Sequence, residues 1–355
     1  MADWPRHIVV LTQENHSFDQ VFGDFPGAAG PPPGTSMPAG DGASVRPYYF
    51  ASPWLPLTVG PPHSFAAVHR EWNRGRLDGF VRVGGRVTMG RYRPADVAPY
   101  FRWAERGLLL DRYFCSVLGP TFPNRLYQLA GTSGGIRDDP RLCAAPAREV
   151  ETVLDQLQAR RISWRLYVGG LGPDGRGWAL ARALYFAPVL WFRRFREDPG
   201  LRAGITPLAR FFEDVRRHEL PAVAFLTPSL LTSGHPPTGL PGAMAALDRV
   251  AEALSTSPLW GETLLVVTFD EAGGFFDYVP PPVKDVFGPG FRVPCLLLSG
   301  RLRPGIHHAV FDHTSLLRFI EEHHRLPLLG RRTREMNSLR VALERAADPD
   351  PRAPG

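Results

Sequence analysis

The stretch HIVVLTQEN (7–15) is an apolar, β-branched run that ends in polar residues, and TLLVVTFDE (263–271) repeats the pattern. Short apolar runs of this kind are typical of buried strands. Four more of them occur along the chain, at 108–114, 162–168, 222–227 and 293–299. These six segments are the predicted strands of one sheet.

Helical patterns lie between several of the predicted strands, at 64–72, 150–161, 207–218 and 244–254. Alternation of strands and helices predicts an α/β fold with a mostly parallel central sheet sandwiched by helices. We expect residues 1–345 to form a single domain. Residues 346–355 lack an apolar pattern and are predicted to be a flexible tail.

The chain has 355 residues, 44% of them hydrophobic, and a formal net charge of +6. This charge favours anionic partners such as phosphate esters or anionic lipid surfaces. The arginines are scattered and form no basic run, so no nucleic-acid partner is expected. Cys115, Cys143 and Cys295 are widely spaced, which predicts reduced core thiols and no disulfide framework.

The first residues, MADWPRHIVVLTQEN, lack the features of a signal peptide, which leads us to expect a cytoplasmic protein. The longest apolar region, 179–195, is interrupted by arginines and by Pro188, and this excludes an ordinary transmembrane helix. We favour a half-buried helix pair broken at Pro188. The aromatic and arginine content of the region leaves peripheral contact with a membrane as the alternative.

Polar residues follow the predicted strands at one edge of the sheet. Ligands of open parallel sheets bind outside the carboxyl ends of the strands. Glu14, Asn15, Asp270 and Glu271 would meet there, and their oxygens suit Ca, Mg or Mn, with Zn not excluded. The alternative is that each acid caps a helix or pairs with an arginine.

Thr121 lies in GPTFPNR (119–125), just before the helical pattern LYQLAG. It is either an ordinary helix N-cap or a nucleophile placed where backbone amides and the helix dipole favour a phosphate. An unassisted threonine hydroxyl is a weak nucleophile, so the second interpretation requires a metal ion. Four histidines lie in turns or near helix starts and could bind phosphate or donate a proton, namely His63, His69, His235 and His313.

Five ordered segments resemble motifs of a bacterial phosphoesterase family that includes phospholipases C and an acid phosphatase, within the alkaline phosphatase superfamily. The segments are ENHSFDQVFG (14–23), GPTFPNR (119–125), GHPPTG (234–239), TFDEAGGFFDYVPPP (268–282) and HTSLLRFIE (313–321). The resemblance spans most of the chain and implies an alkaline-phosphatase-like fold.

The resemblance also implies roles for individual residues. Glu14, Asn15, Asp270 and Glu271 would bind a divalent metal ion, and Thr121 would be the metal-bound nucleophile. Binding of the substrate is implied for Asn124, which would contact the phosphoryl group, and for His63, His235 and His313, which would line the pocket. Two positions depart from the family pattern: His16 replaces an arginine, and Tyr278 replaces a histidine.

The sequence therefore predicts a metal-dependent hydrolase of phosphoric esters, either phospholipase C-like or phosphatase-like, that acts through a phosphothreonine intermediate. Its expected substrate is a small phosphate ester or a phospholipid headgroup. The alternative is a catalytically impaired protein that binds phosphate or lipid headgroups on the same scaffold. Tyr278 is the residue that favours the alternative.

Overall fold

An eight-stranded sheet lies at the centre of the molecule. The computed structural model describes residues 4–40, 42–52, 60–140, 149–172, 177, 186–236 and 238–346. The eight strands are β1 (His7–Gln13), β6 (Leu108–Leu110), β8 (Trp164–Val168), β9 (Ile205–Pro207), β10 (Val223–Thr227), β11 (Thr263–Phe269), β12 (Cys295–Leu298) and β13 (Gly305–His307). Short two-stranded pairings form elsewhere between β2 (Met37–Pro38) and β3 (Ser44–Val45), β4 (Tyr48–Tyr49) and β5 (Gly90–Arg91), and β7 (Tyr113–Phe114) and β14 (Phe311–Asp312).

The strand order across the sheet is β13-β6-β12-β11-β1-β10-β8-β9. Within this sheet only β12 runs antiparallel to its neighbours, so the predicted mostly parallel sheet is confirmed. β1 is central, paired with β10 on one side and with β11 on the other. Its residues Ile8, Val9, Val10 and Leu11 are buried, which explains the continuous apolar run.

One predicted strand is divided in two. The run 108–114 forms β6 in the central sheet and β7 outside it, with a turn at Asp111 and Arg112. At this turn the buried Asp111 carboxylate accepts a hydrogen bond from the Ala29 backbone amide, 3.0 Å. The prediction of a single strand here was therefore wrong.

Helices pack against the sheet and occupy the predicted segments. The α-helices are Phe18–Phe22, Phe65–Trp72, Phe80–Gly84, Ala98–Ala104, Thr121–Ala130, Val153–Ala159, Arg193–Glu197, Pro199–Ala203, Ala209–Arg217, Leu230–Ser233, Leu240–Ser255, His313–His323, Arg332–Glu335 and Arg340–Ala346. Short 3-10 helices are Asn73–Gly75, Arg86–Met89, Pro94–Val97, Pro188–Trp191 and Pro258–Glu262. None of the helices in these described ranges is long and apolar enough to cross a membrane.

The cysteines, the predicted tail and the longest apolar region are only partly covered by the described residues. Cys115 and Cys295 are free and buried, as expected, whereas Cys143 lies outside the described residues. Ala346 was assigned to the flexible tail, but it is buried and is the last residue of a helix. The rest of the predicted tail, and residues 178–185 of the apolar region, lie outside the described residues. The part of that region from Pro188 to Phe192 is buried.

A buried ionic cluster joins two of the family-like segments. The Arg292 guanidinium contacts the carboxylates of Asp19, 2.8 Å, and Asp277, 2.7 Å, and none of the three side chains is more than 4% exposed. The Asp19 carboxylate also accepts the Tyr278 amide, 2.7 Å. Arg292 donates to the carbonyl groups of Ala29 and Asp111. The cluster therefore holds the segment after β1 against the segment after β11.

We expect Asp277→Ala to lower the free energy of unfolding by about 3 to 5 kcal/mol, because it leaves the buried Arg292 charge partly unpaired. Urea denaturation followed by circular dichroism would measure the change. Glu197→Ala is the matched control, because it breaks an ion pair between Arg193 and Glu197, whose side chains are 77% and 60% exposed. It should lower the free energy of unfolding by at most about 0.5 kcal/mol. Equal losses in the two variants would contradict a structural role for the cluster.

Candidate active site

The end of β1 places two polar side chains side by side. Glu14 and Asn15 are both fully buried. Neighbouring residues of a strand normally point to opposite faces, but Asn15 has a φ of +59° and so breaks the strand here. Asparagine tolerates this left-handed conformation better than most residues do.

Asp270 connects the end of β11 to the end of β1. Its Oδ1 atom accepts the backbone amide of Asn15, 3.2 Å, and that of Glu271, 2.8 Å. The next turn of the chain passes close to Asn15 at Gly273, where a Cβ atom would lie 2.4 Å from the Asn15 carbonyl oxygen. The structure thus brings the predicted residues Glu14, Asn15, Asp270 and Glu271 to one edge of the sheet.

Thr121 is the first residue of the helix Thr121–Ala130, and Pro120 is the residue that precedes the helix as its N-cap. The Thr121 hydroxyl donates to Glu14 Oε2, 3.1 Å. Because Pro120 is the N-cap and Thr121 lies inside the helix, the interpretation of Thr121 as an ordinary N-cap was wrong. The helix also begins earlier than the pattern LYQLAG suggested.

Arg125 is a site residue that the sequence analysis quoted but did not assign. It lies one helical turn after Thr121 and is 3% exposed. Its guanidinium forms an ion pair with Glu14 and another with Asp270, 3.4 Å, and also donates to the carbonyl of Thr12, 3.2 Å. The spacing of four residues from Thr121 could have revealed it, because such residues share one face of a helix.

The site carries more negative than positive charge. Burial raises the pKa of Glu14, as does repulsion from Asp270, and Arg125 offsets only part of this rise. Burial and repulsion from Asp270 also raise the pKa of Glu271. A carboxylate with a raised pKa is a better proton acceptor than an ordinary one.

The four predicted metal ligands offer suitable oxygen atoms. Asn15 Oδ1 and Glu271 Oε1 are buried and have no hydrogen-bond partner among the described residues. Buried polar atoms are rarely left in this state, so the two atoms fit a cation or another bound group. Within the same residues, however, no three His, Cys, Asp or Glu side chains are gathered around a point that could hold a metal ion.

His63 orients Asn15. His63 Nδ1 donates to the Pro61 carbonyl, 2.8 Å, which leaves Nε2 to accept from Asn15 Nδ2, 3.3 Å. Burial lowers the pKa of His63 and favours this neutral form. His235 lies beside it, with ring centroids 6.3 Å apart, and the loop before His235 is held by a hydrogen bond from the Glu14 amide to the Ser233 carbonyl, 2.9 Å.

The structure places two other predicted substrate-binding residues in supporting positions. His313 donates from Nε2 to the Asp270 carbonyl, 2.7 Å, and accepts at Nδ1 from the Tyr113 hydroxyl, 3.2 Å. Asn124 is fully buried, and its amide bonds with the backbone of residues 117–120. Both side chains therefore use their polar atoms to hold the site in place, and a direct phosphoryl contact by either stays a prediction.

Asp139 is a second residue that the sequence analysis missed. Its carboxylate accepts the Phe122 backbone amide, 2.7 Å, at the N-terminus of the helix that begins with Thr121. The neighbouring Asp138 accepts the Phe65 amide, 2.8 Å, at the start of another helix. The surrounding sequence GIRDDP has no periodicity, so nothing in it indicated that Asp139 lies next to Thr121.

Comparison with known proteins identifies the family of the chain. The profile of the Phosphoesterase family matches residues 5–327. The chain belongs to this family. It is 32% identical to phospholipase C B of Mycobacterium tuberculosis over 98% of this chain and 79% of that protein. It is 28% identical to the hemolytic phospholipase C of Pseudomonas aeruginosa over 89% of this chain and 52% of that protein.

This phosphoesterase is therefore a phosphoric ester hydrolase, and the resemblance stated from the motifs is confirmed. Among solved structures, a protein of the alkaline phosphatase superfamily from Vibrio parahaemolyticus matches with a TM-score of 0.41 and 11% identity. The match covers 90% of this chain and 66% of that one.

The buried His16 predicts a pH dependence of stability. His16 Nδ1 donates to the Glu14 carbonyl, 2.8 Å, and burial lowers the pKa of His16 to about 4. Below its ordinary pKa of about 6.5 the unfolded chain binds a proton that the folded chain does not, so stability falls as the pH falls.

When the pH falls from about 7.5 to about 5, we expect the free energy of unfolding to drop by about 2 kcal/mol less in His16→Asn than in the wild type. Asparagine keeps a hydrogen-bond donor but does not titrate. Urea denaturation at both pH values would measure the difference. His218→Asn, at an exposed histidine far along the chain from the site, is the control and should show the same change in the free energy of unfolding as the wild type. A wild-type pH dependence in His16→Asn would contradict the assignment.

Proposed function

We propose that the enzyme hydrolyses phosphoric esters in two displacements, with Thr121 as the first acceptor of the phosphoryl group. The hydrogen bond from the Thr121 hydroxyl to Glu14 Oε2 carries this proposal. It fixes the direction of the hydroxyl and offers a carboxylate of raised pKa to receive its proton. Arg125, bound to the other oxygen of Glu14, holds that carboxylate in place.

In the first displacement the Thr121 oxygen bonds to phosphorus, its proton passes to Glu14, and the bond from phosphorus to the alcohol oxygen breaks. The leaving oxygen takes a proton from a donor in the site, for which His235, whose ring centroid lies 6.3 Å from that of His63, is the candidate. In the second displacement water attacks the phosphothreonine and passes one proton to the group that had protonated the leaving oxygen, the bond to Thr121 breaks, and Thr121 recovers its proton from Glu14. The phosphoryl product is released and the enzyme returns to its starting state.

The backbone around Thr121 favours an anion. The helix Thr121–Ala130 is ten residues long, and its N-terminus carries the positive end of the helix dipole. A phosphoryl group bonded to the first residue of this helix would lie beside that end. The Phe122 amide at this end already donates to Asp139, so the helix dipole offsets only part of the negative charge that develops there.

We also propose that activity depends on a divalent metal ion. Asn15 and Glu271, each with a buried unpaired oxygen, would hold it together with Asp270 and Glu14. Such an ion would supply positive charge that makes the Thr121 hydroxyl more acidic and offsets the charge of the substrate. The family suggests metal use in general, and the oxygen donors suit Ca, Mg or Mn best.

Phospholipid headgroup esters are the proposed substrates, because the curated relatives are phospholipases C. Access to such substrates requires contact with a lipid surface. Leu231, which is 71% exposed, lies on the short helix that leads from β10 to His235, at the same edge of the sheet. We propose that this side chain takes part in that contact.

The alternative function was that of a catalytically impaired binding protein, because Tyr278 replaces a histidine of the family pattern. The Tyr278 ring lies over the Arg292 guanidinium, 5.2 Å from its centroid, and its amide binds Asp19. These contacts belong to the structural cluster around Arg292. Since Thr121 and Arg125 are both present and both bonded to Glu14, hydrolysis is the better supported function.

Thr121→Ala should abolish nearly all turnover, whereas Thr121→Ser should keep a measurable part, because only serine retains the hydroxyl. Turnover of p-nitrophenyl phosphate esters would give both rates. Acid quench during turnover, followed by peptide mass spectrometry, should find phosphate on the peptide that contains GPTFPNR. Comparable rates in the alanine variant and the wild type would favour direct attack by water.

Asp270→Asn should lower kcat by roughly 100-fold or more, because it removes a charge but keeps the acceptor for the Asn15 and Glu271 amides. Chelation should inactivate the wild type, and single additions of Ca, Mg, Mn or Zn should identify the ion. Asp248→Asn, at a partly exposed pair with Arg102, is the control and should leave kcat unchanged. Full activity of the chelated enzyme would rule out the metal.

A further inference from the structure

Glu71 is a buried acid whose carboxylate lacks a partner. It lies near the end of the helix Phe65–Trp72 and is 0% exposed. Neither of its carboxylate oxygens has a hydrogen-bond partner among the described residues. By contrast, the buried acids Asp214 and Asp277 each pair with an arginine. Because an unpaired buried charge is strongly disfavoured, the Glu71 carboxylate requires either a proton or a bound cation.

The turn after β11 leaves room beside this carboxylate. Gly273 faces the end of β1, whereas the next residue, Gly274, faces the segment before His63 and the helix of Glu71. A Cβ atom on Gly274 would lie 2.8 Å from the Pro62 carbonyl oxygen and 3.3 Å from Glu71 Oε1. Two oxygen atoms from different segments therefore converge on a space that glycine leaves without a side chain.

Two acids contribute negative charge near this space. Burial raises the pKa of Glu71, and Arg70 offsets only part of the rise. Glu71 is also close enough to Glu271 to raise the pKa of that residue. Both acids have an unpaired buried oxygen within the part of the chain that the structure describes. A divalent cation beside Gly274 would offset both charges at once, whereas a proton on Glu71 would offset only one.

We propose that Glu71 and the Pro62 carbonyl bind a calcium ion beside Gly274. Calcium binds both oxygens of a carboxylate together with backbone carbonyls, at about 2.3 to 2.6 Å, and both oxygens of Glu71 are available. Magnesium demands an octahedral shell and suits this set of ligands less well. Pro62 is at the surface of the molecule, so water completes the shell of the ion.

This calcium ion is separate from the ion proposed at the candidate active site. It connects the helix of Glu71 and the segment of Pro62 with the turn that follows β11. His63 directly follows Pro62 and accepts a hydrogen bond from Asn15, so the calcium ion holds a residue of the site in place without touching the substrate. Binding of this ion goes beyond the proposed function and is independent of Thr121.

Glu71→Gln tests the calcium site, because glutamine keeps the shape of the side chain and removes its charge. Equilibrium dialysis against Ca²⁺, followed by elemental analysis of the bound metal, should find one ion fewer per chain than in the wild type. Asp270→Asn, which weakens the ion of the candidate active site, should retain the ion at Glu71. Glu321→Gln is the matched control and should bind as many ions as the wild type. Glu321 is also 0% exposed and has one unpaired oxygen, but its other oxygen accepts the Leu329 amide, 2.9 Å.

Thermal unfolding gives a second measurement of the same ion. A ligand that binds only the folded chain raises Tm, so Ca²⁺ should stabilise Asp270→Asn and lose most of this effect when Glu71→Gln is added. Glu71→Met, which offers calcium no oxygen, serves as a second variant and should lose the same ion. Equal numbers of bound ions in the wild type and in folded Glu71 variants would overturn the calcium site. That result would leave the proposed function intact, because turnover tests it separately.

Discussion

The Asp270 carboxylate joins the parts of the molecule on which the site depends. The carboxylate accepts hydrogen bonds from backbone amides that follow β1 and β11, and it forms an ion pair with Arg125 on the helix of Thr121. The backbone carbonyl of the same residue accepts a hydrogen bond from His313. Each of these elements comes from a distant part of the chain. Because a single short side chain meets them all, small shifts of any one element would disturb the others.

Two buried clusters in this protein contain the same ionic groups and differ in how completely they are satisfied. Arg292 is surrounded by two aspartates whose oxygens all have partners. Arg125 is also bound by two acids, but Asn15 and Glu271, the residues that follow those acids in the chain, each retain a buried unpaired oxygen among the described residues. The first arrangement holds segments together, whereas the second leaves capacity for a bound group.

The sheet and the edge that carries the site could be predicted from sequence because both follow from local patterns. Apolar runs identified the strands, and parallel pairing of β1 with β11 then placed Glu14 next to Asp270. Arg125 and Asp139 were missed for different reasons. Arg125 lies four residues after Thr121 on one face of the helix, and this spacing would have placed it at the site. Asp139 reaches Phe122 through an irregular loop, and the path of such a loop depends on tertiary packing.

The left-handed backbone at Asn15 restricts which sequences could carry the same site. Glycine, asparagine and aspartate adopt this conformation at little cost, whereas β-branched residues do not. Evolution and protein engineers can therefore exchange the amide at this position for a carboxylate without altering the main chain. A β-branched side chain such as threonine would strain the backbone here, so the choice of polar residue at the end of β1 is limited by conformation as well as by reactivity.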